Sequence, residues 1–149
     1  MSDVDRNVLQ QIGRTSRAVH AAFEQEVGQG LPRWRILQTL FDLRREPQGC
    51  TQKQLVRELN VDAGAMTRHL KQMEAEGLVA RHSDPEDNRL TRVCLTETGT
   101  DLVRRGQGKR RAFFDKVIHD LPEAEIHAAI ALMREIERRC QALYLGEAD

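Results

Sequence analysis

The chain has 149 residues, of which 40% are hydrophobic, 31% are charged and only 4% are aromatic. That length suits one compact domain, or one with extensions, and the composition is typical of a helix-rich soluble protein. The 23 basic and 23 acidic residues give a formal net charge of zero, which excludes nucleic-acid binding through overall charge alone. Any DNA contact would therefore depend on local basic positions.

No apolar run is long enough to span a bilayer, and the polar start MSDVDRN is unlike a secretory signal. We therefore expect a cytoplasmic protein with no membrane partner. Cys50, Cys94 and Cys140 are far apart and form no CxxC pair, which favours reduced thiols. A buried small hydrophobic residue is the more frequent role for such a cysteine, and a redox-sensing thiol is the alternative.

The first predicted element is an amphipathic helix over residues 4–27, where apolar residues recur at helical spacing and two glycines follow. Pro32 begins a second helix, because proline is favourable at the first helical position. This helix runs through Trp34 and Phe41. The stretch 44–49, which is charged and contains proline and glycine, closes it.

Two short helices come next, and their junction predicts a helix-turn-helix. Thr51 and Gln54 have the spacing of a capping box, in which their side chains satisfy backbone donors at a helix start. Cys50 and Leu55 stand at the positions of a hydrophobic staple. Asp62 is placed to cap the second of the two helices.

The second short helix has one apolar side and one free side. Met66, Leu70 and Met73 recur at i, i+4 and i+7, which predicts burial of that side. Arg68 and Lys71 are three apart and share the free side, as expected of a helix that enters the major groove. The free side carries Gly64, Ala65, Thr67, Arg68, Lys71 and Gln72.

A polar loop over residues 84–89 separates two alternating runs, Leu78–Ser83 and Thr91–Leu95, after Gly77 stops the helix. We interpret this as a hairpin whose tip presents Arg89 to a phosphate or to the minor groove. The loop's acidic side chains would repel phosphate unless they are turned away or paired with arginine. These side chains are Asp84, Glu86 and Asp87, and the nearby arginines are Arg89 and Arg92.

Thr96 is the predicted cap of a long helical region that carries the basic cluster 104–111. Two glycines in that cluster weaken the helix, either as a bend or as ordinary tolerated variation. Pro122 restarts a helix with an apolar stripe at three- and four-residue spacing. The stripe comprises Ile126, Ile130, Met133, Ile136, Cys140 and Leu143.

These elements predict a mainly α fold with a small β-hairpin wing, a winged helix-turn-helix with N- and C-terminal dimerisation helices. Residues 31–99 form the DNA-binding domain in this interpretation, and residues 1–30 and 100–149 form the dimerisation helices. The terminal apolar stripes need a partner, which a second copy of the chain would supply. We expect a homodimer whose DNA site is an inverted repeat with half-sites about 34 Å apart.

The chain resembles the MarR family of bacterial transcriptional regulators over essentially its whole length. The resemblance is carried by the start Pro-Arg-Trp-Arg-Ile-Leu of the second helix, the helix-turn-helix, and the wing pattern Asp84-x-x-Asp87-x-Arg89. The wing is followed by Val93-x-Leu95-Thr96-x-x-Gly99. The resemblance implies a homodimeric regulator of double-stranded DNA, usually a repressor, released by a small molecule that is often a phenolic acid. Members with a redox switch carry a cysteine in the first helix, which has none here.

The resemblance also implies roles for individual residues. Arg89 matches the wing arginine of the minor groove, Asp87 matches the acidic residue that supports the wing, and the start of the third helix matches positions that meet phosphates. The DNA-binding residues expected are Thr51, Gln52, Gly64, Ala65, Thr67, Arg68, Lys71, Asn88 and Arg89.

Other residues have both a possible binding role and a plain structural one. Arg17, His20 and Trp34 would hold an aromatic carboxylate by stacking and charge-assisted hydrogen bonds, although core or interface packing is the commoner role for Trp34. His20 with Glu24, and Glu123 with His127, are spaced as metal ligands, but a site needs three or four. We therefore expect no metal site and no cofactor.

No catalytic motif is present: the chain has no GxSxG, no HExxH and no glycine-rich phosphate loop after a strand. The favoured hypothesis is a ligand-responsive, sequence-specific DNA-binding regulator and not an enzyme. The alternatives are a winged-helix dimer that acts as a protein-interaction module, and a metal- or redox-responsive regulator.

Overall fold

The computed structural model describes the backbone of residues 3–145 and the side chains of residues 7–143. This part of the chain contains six helices and a small antiparallel sheet, which confirms the predicted fold class. The elements in order are α1 (Asp3–Val27), α2 (Leu31–Asp42), β1 (Cys50–Thr51), α3 (Gln52–Leu59), α4 (Ala63–Ala75), β2 (Val79–Ser83), β3 (Thr91–Leu95), α5 (Glu97–Val117) and α6 (Glu123–Leu145).

The sheet has three strands in the order β1-β3-β2, one more than the sequence predicts. The hairpin of β2 and β3 is confirmed, with Ser83 opposite Thr91 nearest the loop. The additional strand β1 pairs Cys50 with Val93 and joins the start of α3 to the wing. A strand of two residues is too short to show alternation, so the pattern could not reveal it.

The helix ends follow the capping chemistry that the sequence predicts. Thr51 and Gln54 form the full capping box at the start of α3. Asp62 Oδ2 accepts a hydrogen bond of 2.9 Å from the amide of Ala65 at the start of α4. Gly77 follows α4 with a φ of 73°, a left-handed conformation that glycine adopts without strain.

Thr96 and Gly99 show why the segment after the wing has its Leu-Thr-x-x-Gly pattern. Thr96 Oγ1 accepts from the amide of Gly99 at 3.0 Å, which confirms Thr96 as the cap of α5, and it donates to the carbonyl oxygen of Gly77. A Cβ at position 99 would overlap the carbonyl oxygen of Leu78, so only glycine fits. The pattern ties the wing to α5.

The two glycines of the α5 basic cluster have different surroundings, although α5 is one unbroken helix. Gly106 is buried, and a Cβ there would lie 2.5 Å from Cη2 of Trp34 and even closer to its Cζ3. Gly108 has nothing within 4 Å of its Cβ position. Gly106 is needed because a larger residue would collide with the indole ring of Trp34. Only Gly108 is explained by tolerated variation.

The chain divides into two compact units, residues 1–113 and residues 114–149. The first unit holds the hydrophobic core, in which Phe23 and Val27 of α1 pack with residues from α2 to α5. The rings of Phe23, Trp34 and Phe113 make edge contacts there. The predicted assignment of residues 1–30 and 100–149 to dimerisation stays a prediction.

The second unit contains α6, and no α6 side chain that the structure describes is buried. Ile130, Met133 and Leu143 are 42%, 51% and 75% exposed. The apolar stripe of this helix is therefore largely uncovered. Within the described residues, every helix is too short or too polar to cross a membrane.

Candidate nucleic-acid interface

Helix α4 presents a polar side to solvent because its apolar side is fully used in the core. Met66, Leu70 and Met73 are each 0% exposed. Arg68 and Lys71 are exposed on the other side, and neither has an acidic partner within 4 Å among the described residues. Gly64 is exposed beside them, and the Arg68 guanidinium extends back over it, 3.4 Å from the Cβ position. This small, basic face can approach a duplex closely.

A hydrogen bond joins the two helices of the helix-turn-helix. Gln52 Nε2 donates to Thr67 Oγ1 at 2.8 Å, and Thr67 Oγ1 donates to the carbonyl oxygen of Ala63 at 3.0 Å. Gln52 and Thr67 are both half-buried, and Ala65 is half-buried on the same turn of α4. The sequence predicts both residues as surface contacts but gives no sign of the bond between them, since they are 15 positions apart.

The prediction that Thr51 contacts DNA does not fit its position in the structure. Its side chain is buried, 7% exposed, and its hydroxyl accepts from the amide of Gln54 at 3.1 Å. The Thr51 amide in turn donates to Gln54 Oε1 at 2.8 Å. Because the capping box occupies both groups, we expect no direct DNA contact from Thr51.

Two ion pairs, neither of which the sequence predicts, fix the C-terminal end of α4. Glu76 accepts a two-pronged interaction from Arg33 of α2, with Nη1 at 3.1 Å and Nη2 on the other carboxylate oxygen. Glu74 accepts from Nε and Nη2 of Arg81 in β2, each at 3.2 Å. Hydrogen bonds from the arginines lower the pKa of both carboxyl groups. These pairs hold α4 against α2 and the sheet.

The base of the wing is held by Asp84, which is 7% exposed. Its carboxylate accepts from Arg92 Nε at 2.5 Å and from the amides of Glu86 and Asp87 at 2.8 and 2.9 Å. Arg92 Nη1 donates to the carbonyl oxygen of Gln48 at 2.8 Å, which connects the wing to the loop before β1. The hydrogen bond from Arg92 and those from the two amides lower the pKa of Asp84.

The tip of the wing presents Arg89, whose side chain is 86% exposed. Asp87 binds it through two hydrogen bonds, from Nε at 2.9 Å and from Nη2 at 3.0 Å. This pair lowers the pKa of Asp87 and raises that of Arg89. A guanidinium has five N–H donors, so three remain for a ligand. Asn88 is exposed next to it.

The zero net charge therefore does not describe this face. Of the loop's three acidic residues, Asp84 and Asp87 are each paired with arginine, whereas Glu86 is exposed and has no ion pair among the described residues. Arg68 and Lys71 remain as exposed cations on α4. The condition set by the sequence, that the loop's acids must be paired, is met for these two.

The residues predicted for an aromatic acid lie in different surroundings. Arg17 and His20 are exposed on α1, and His20 Nδ1 lies 2.7 Å from the carbonyl oxygen of Ser16. Trp34 is 2% exposed, and its indole Nε1 has no hydrogen-bond partner among the described residues. Two cavities of about 240 and 230 Å³ beside the wing are lined by other residues. The pocket stays a prediction.

The described residues also bear on the metal and thiol alternatives. Among them, no three His, Cys, Asp or Glu side chains are grouped as metal ligands would be. Cys94 and Cys140 are exposed and Cys50 is buried. Burial raises the pKa of Cys50, which disfavours its reactive thiolate.

Comparison with known proteins matches the MarR family to residues 31–91, the segment from α2 to the first residue of β3. An uncharacterized HTH-type transcriptional regulator, YdgJ of Bacillus subtilis, is 29% identical over 121 residues, or 81% of this chain and 71% of YdgJ.

Solved structures share the fold. A cysteine-to-serine mutant of MarR from E. coli, complexed with operator DNA, has a TM-score of 0.75 at 20% identity, covering 91% of this chain and 99% of that one. BpsR of Bordetella bronchiseptica, described by the regulation of its DNA binding by 6-hydroxynicotinic acid, has a TM-score of 0.74 at 22% identity, covering 87% and 92%. Residues 31–91 thus carry a MarR-family domain, and the chain has the fold of the MarR–operator DNA structure.

Proposed function

We propose that this protein is a homodimeric, sequence-specific DNA-binding regulator that represses its target genes until a small aromatic acid releases it. The observation that carries the proposal is the exposed basic side of α4, which we call the recognition helix. Its opposite side is sealed in the core by three residues that are 0% exposed. The helix is therefore fixed in the protein while Arg68 and Lys71 are free for a duplex.

The recognition helix is supported in a way that suits major-groove binding. Gln52 joins it to α3, and the Arg33 and Arg81 ion pairs hold its far end. A contact of fixed geometry with base edges needs such support, because a loosely held helix would lose conformational entropy on binding. The wing adds Arg89 as a second contact, for a phosphate or the minor groove.

The uncovered apolar stripe of α6 supports a dimer. Monomeric soluble proteins rarely leave a continuous apolar surface of this kind exposed, and a second copy would cover it. Two recognition helices related by a two-fold axis favour an inverted-repeat operator with half-sites about one helical turn, roughly 34 Å, apart.

The effector is proposed on two grounds. The buried Trp34 Nε1 has no partner among the described residues, and a buried donor of this kind is costly unless a ligand or another group accepts from it. BpsR, which shares the fold, is regulated by 6-hydroxynicotinic acid. An aromatic acid that favours the DNA-incompetent state by a few kcal/mol would suffice to release the protein.

The test is binding of the wild-type protein to its own promoter DNA, measured by fluorescence anisotropy over a range of salt concentrations. We expect affinity to fall steeply with salt. Arg68→Ala and Lys71→Ala should each weaken binding. If the residue removed contacts a phosphate, the slope of log affinity against log salt should also decrease by about 1. Arg139→Ala is the control, since Arg139 is an exposed α6 cation. DNA binding that changes neither with salt nor in Arg68→Ala and Lys71→Ala would contradict the proposal and favour a protein-interaction module.

A further inference from the structure

The Thr67 side chain has two branches, a hydroxyl and a methyl group, and the hydroxyl is already engaged within the protein. It donates to the carbonyl oxygen of Ala63 at 3.0 Å and accepts from Gln52 Nε2 at 2.8 Å. A hydroxyl has a single hydrogen, so no donor is left for a base. The neighbouring Arg68 is exposed and free to donate.

The two hydrogen bonds also fix the orientation of both side chains. Since the Thr67 hydrogen goes to Ala63, the Thr67 oxygen must accept, and the nitrogen of the Gln52 amide faces it. A β-branched residue has few rotamers in a helix, and a bond to the carbonyl four residues earlier selects one of them. The methyl group is the branch that remains without a polar partner.

We propose that Thr67 recognises thymine through its methyl group, held in position by Gln52. The inference rests on the proposed DNA-binding function and names the base that this residue selects. Thymine alone of the four bases carries a C5 methyl group in the major groove, where a threonine methyl makes an apolar contact. A hydroxyl whose hydrogen is free can donate to several different bases. Because the Thr67 hydrogen is bound to Ala63, the hydroxyl cannot donate to a base.

The test compares thymine with uracil, which differs only in lacking that methyl group. An operator is first selected from random duplexes with the wild-type protein, and each thymine is then replaced in turn by deoxyuridine. At one pair of positions related by the operator symmetry, we expect each replacement to weaken wild-type binding about fourfold, the value of burying one methyl group.

Two variants separate the branches of the side chain. Thr67→Ser keeps the hydroxyl and loses the methyl group, so it should bind the thymine and uracil operators equally. Thr67→Val loses the hydroxyl and its bond to Gln52, but a β-branched side chain keeps one preferred rotamer in a helix, so a methyl group stays in place. This variant should still prefer thymine, though less strongly than the wild type. Circular dichroism melting curves check that both variants remain folded.

Preference for thymine that survives in Thr67→Ser, or that is lost in Thr67→Val, would overturn the inference. An operator that is selected and bound normally, with no uracil effect that depends on Thr67, would overturn this inference alone. Failure of the wild-type protein to select any sequence would overturn the proposed function with it.

Discussion

Helices α4 and α6 are both amphipathic, but they use their apolar sides differently. The apolar residues of α4 are 0% exposed in the core of the first unit. Those of α6 are largely uncovered, with Met133 51% exposed. The difference indicates that α4 is positioned by its own chain and can present a polar face to a ligand. Helix α6 has an apolar face that the described residues leave largely uncovered.

The largest expected effect tests that contrast on α6. Met133→Glu places a charge in the uncovered stripe and should produce a monomer. Because two linked recognition helices bind far more tightly than one, operator affinity should fall by roughly 100-fold or more. Analytical ultracentrifugation gives the oligomeric state and anisotropy gives the affinity.

Ala131→Glu is the matched control for this substitution. Ala131 is exposed two positions away, on the opposite side of α6. Glutamate there should change neither the oligomeric state nor the operator affinity. A Met133→Glu variant that stays dimeric would show that the stripe is not the interface.

The core of the first unit can be tested with the two glycines of α5. Gly106→Ala forces a methyl group into Trp34, which should lower the free energy of unfolding by about 1–3 kcal/mol. Gly108→Ala meets nothing and should raise it by up to about 1 kcal/mol through helix propensity. Thermal melting should thus shift in opposite directions, by about 2–4 °C for each kcal/mol. Equal shifts would mean that the packing around Trp34 is loose.

The wing is expected to contribute less than the dimer interface. Arg89→Ala removes the exposed guanidinium and should weaken operator binding about tenfold, the loss of one charge-assisted contact. Arg138→Ala is the control, because Arg138 forms a similar two-pronged pair, with Glu135, on α6. Unchanged binding by Arg89→Ala would remove the wing from the proposed interface.

The smallest effect concerns acid. The pKa of Asp84 is lowered from 3.8 by Arg92 and two backbone amides, so the pairing stabilises the fold above that pH. This stabilisation should be lost progressively as the pH falls below about 4, where the unfolded chain binds the proton first. Amide hydrogen exchange in β2 and β3 should quicken accordingly. Asp84→Asn should flatten this pH dependence. The backbone amide of Gln54, which lies outside the wing, provides the reference exchange rate.

The sequence could predict elements whose signal is local. Periodicity revealed the buried side of α4, and short-range chemistry revealed the caps at Thr51, Asp62 and Thr96. The interactions that position the site are mostly long-range, and they were missed. Arg33 and Glu76 are 43 positions apart, and β1 becomes a strand only through Val93. The resemblance predicts that Thr51 contacts DNA, whereas its burial depends on how α3 meets the sheet.

Binding of DNA to the outward face of α4 can be measured by the rate at which Lys71 is chemically acetylated with and without operator DNA, read by mass spectrometry. Lys71 and Lys109 are both exposed in the free protein, on α4 and α5. We expect operator DNA to protect Lys71 strongly and Lys109 much less. An acetylation rate at Lys71 that is the same in the free and the DNA-bound protein would contradict it.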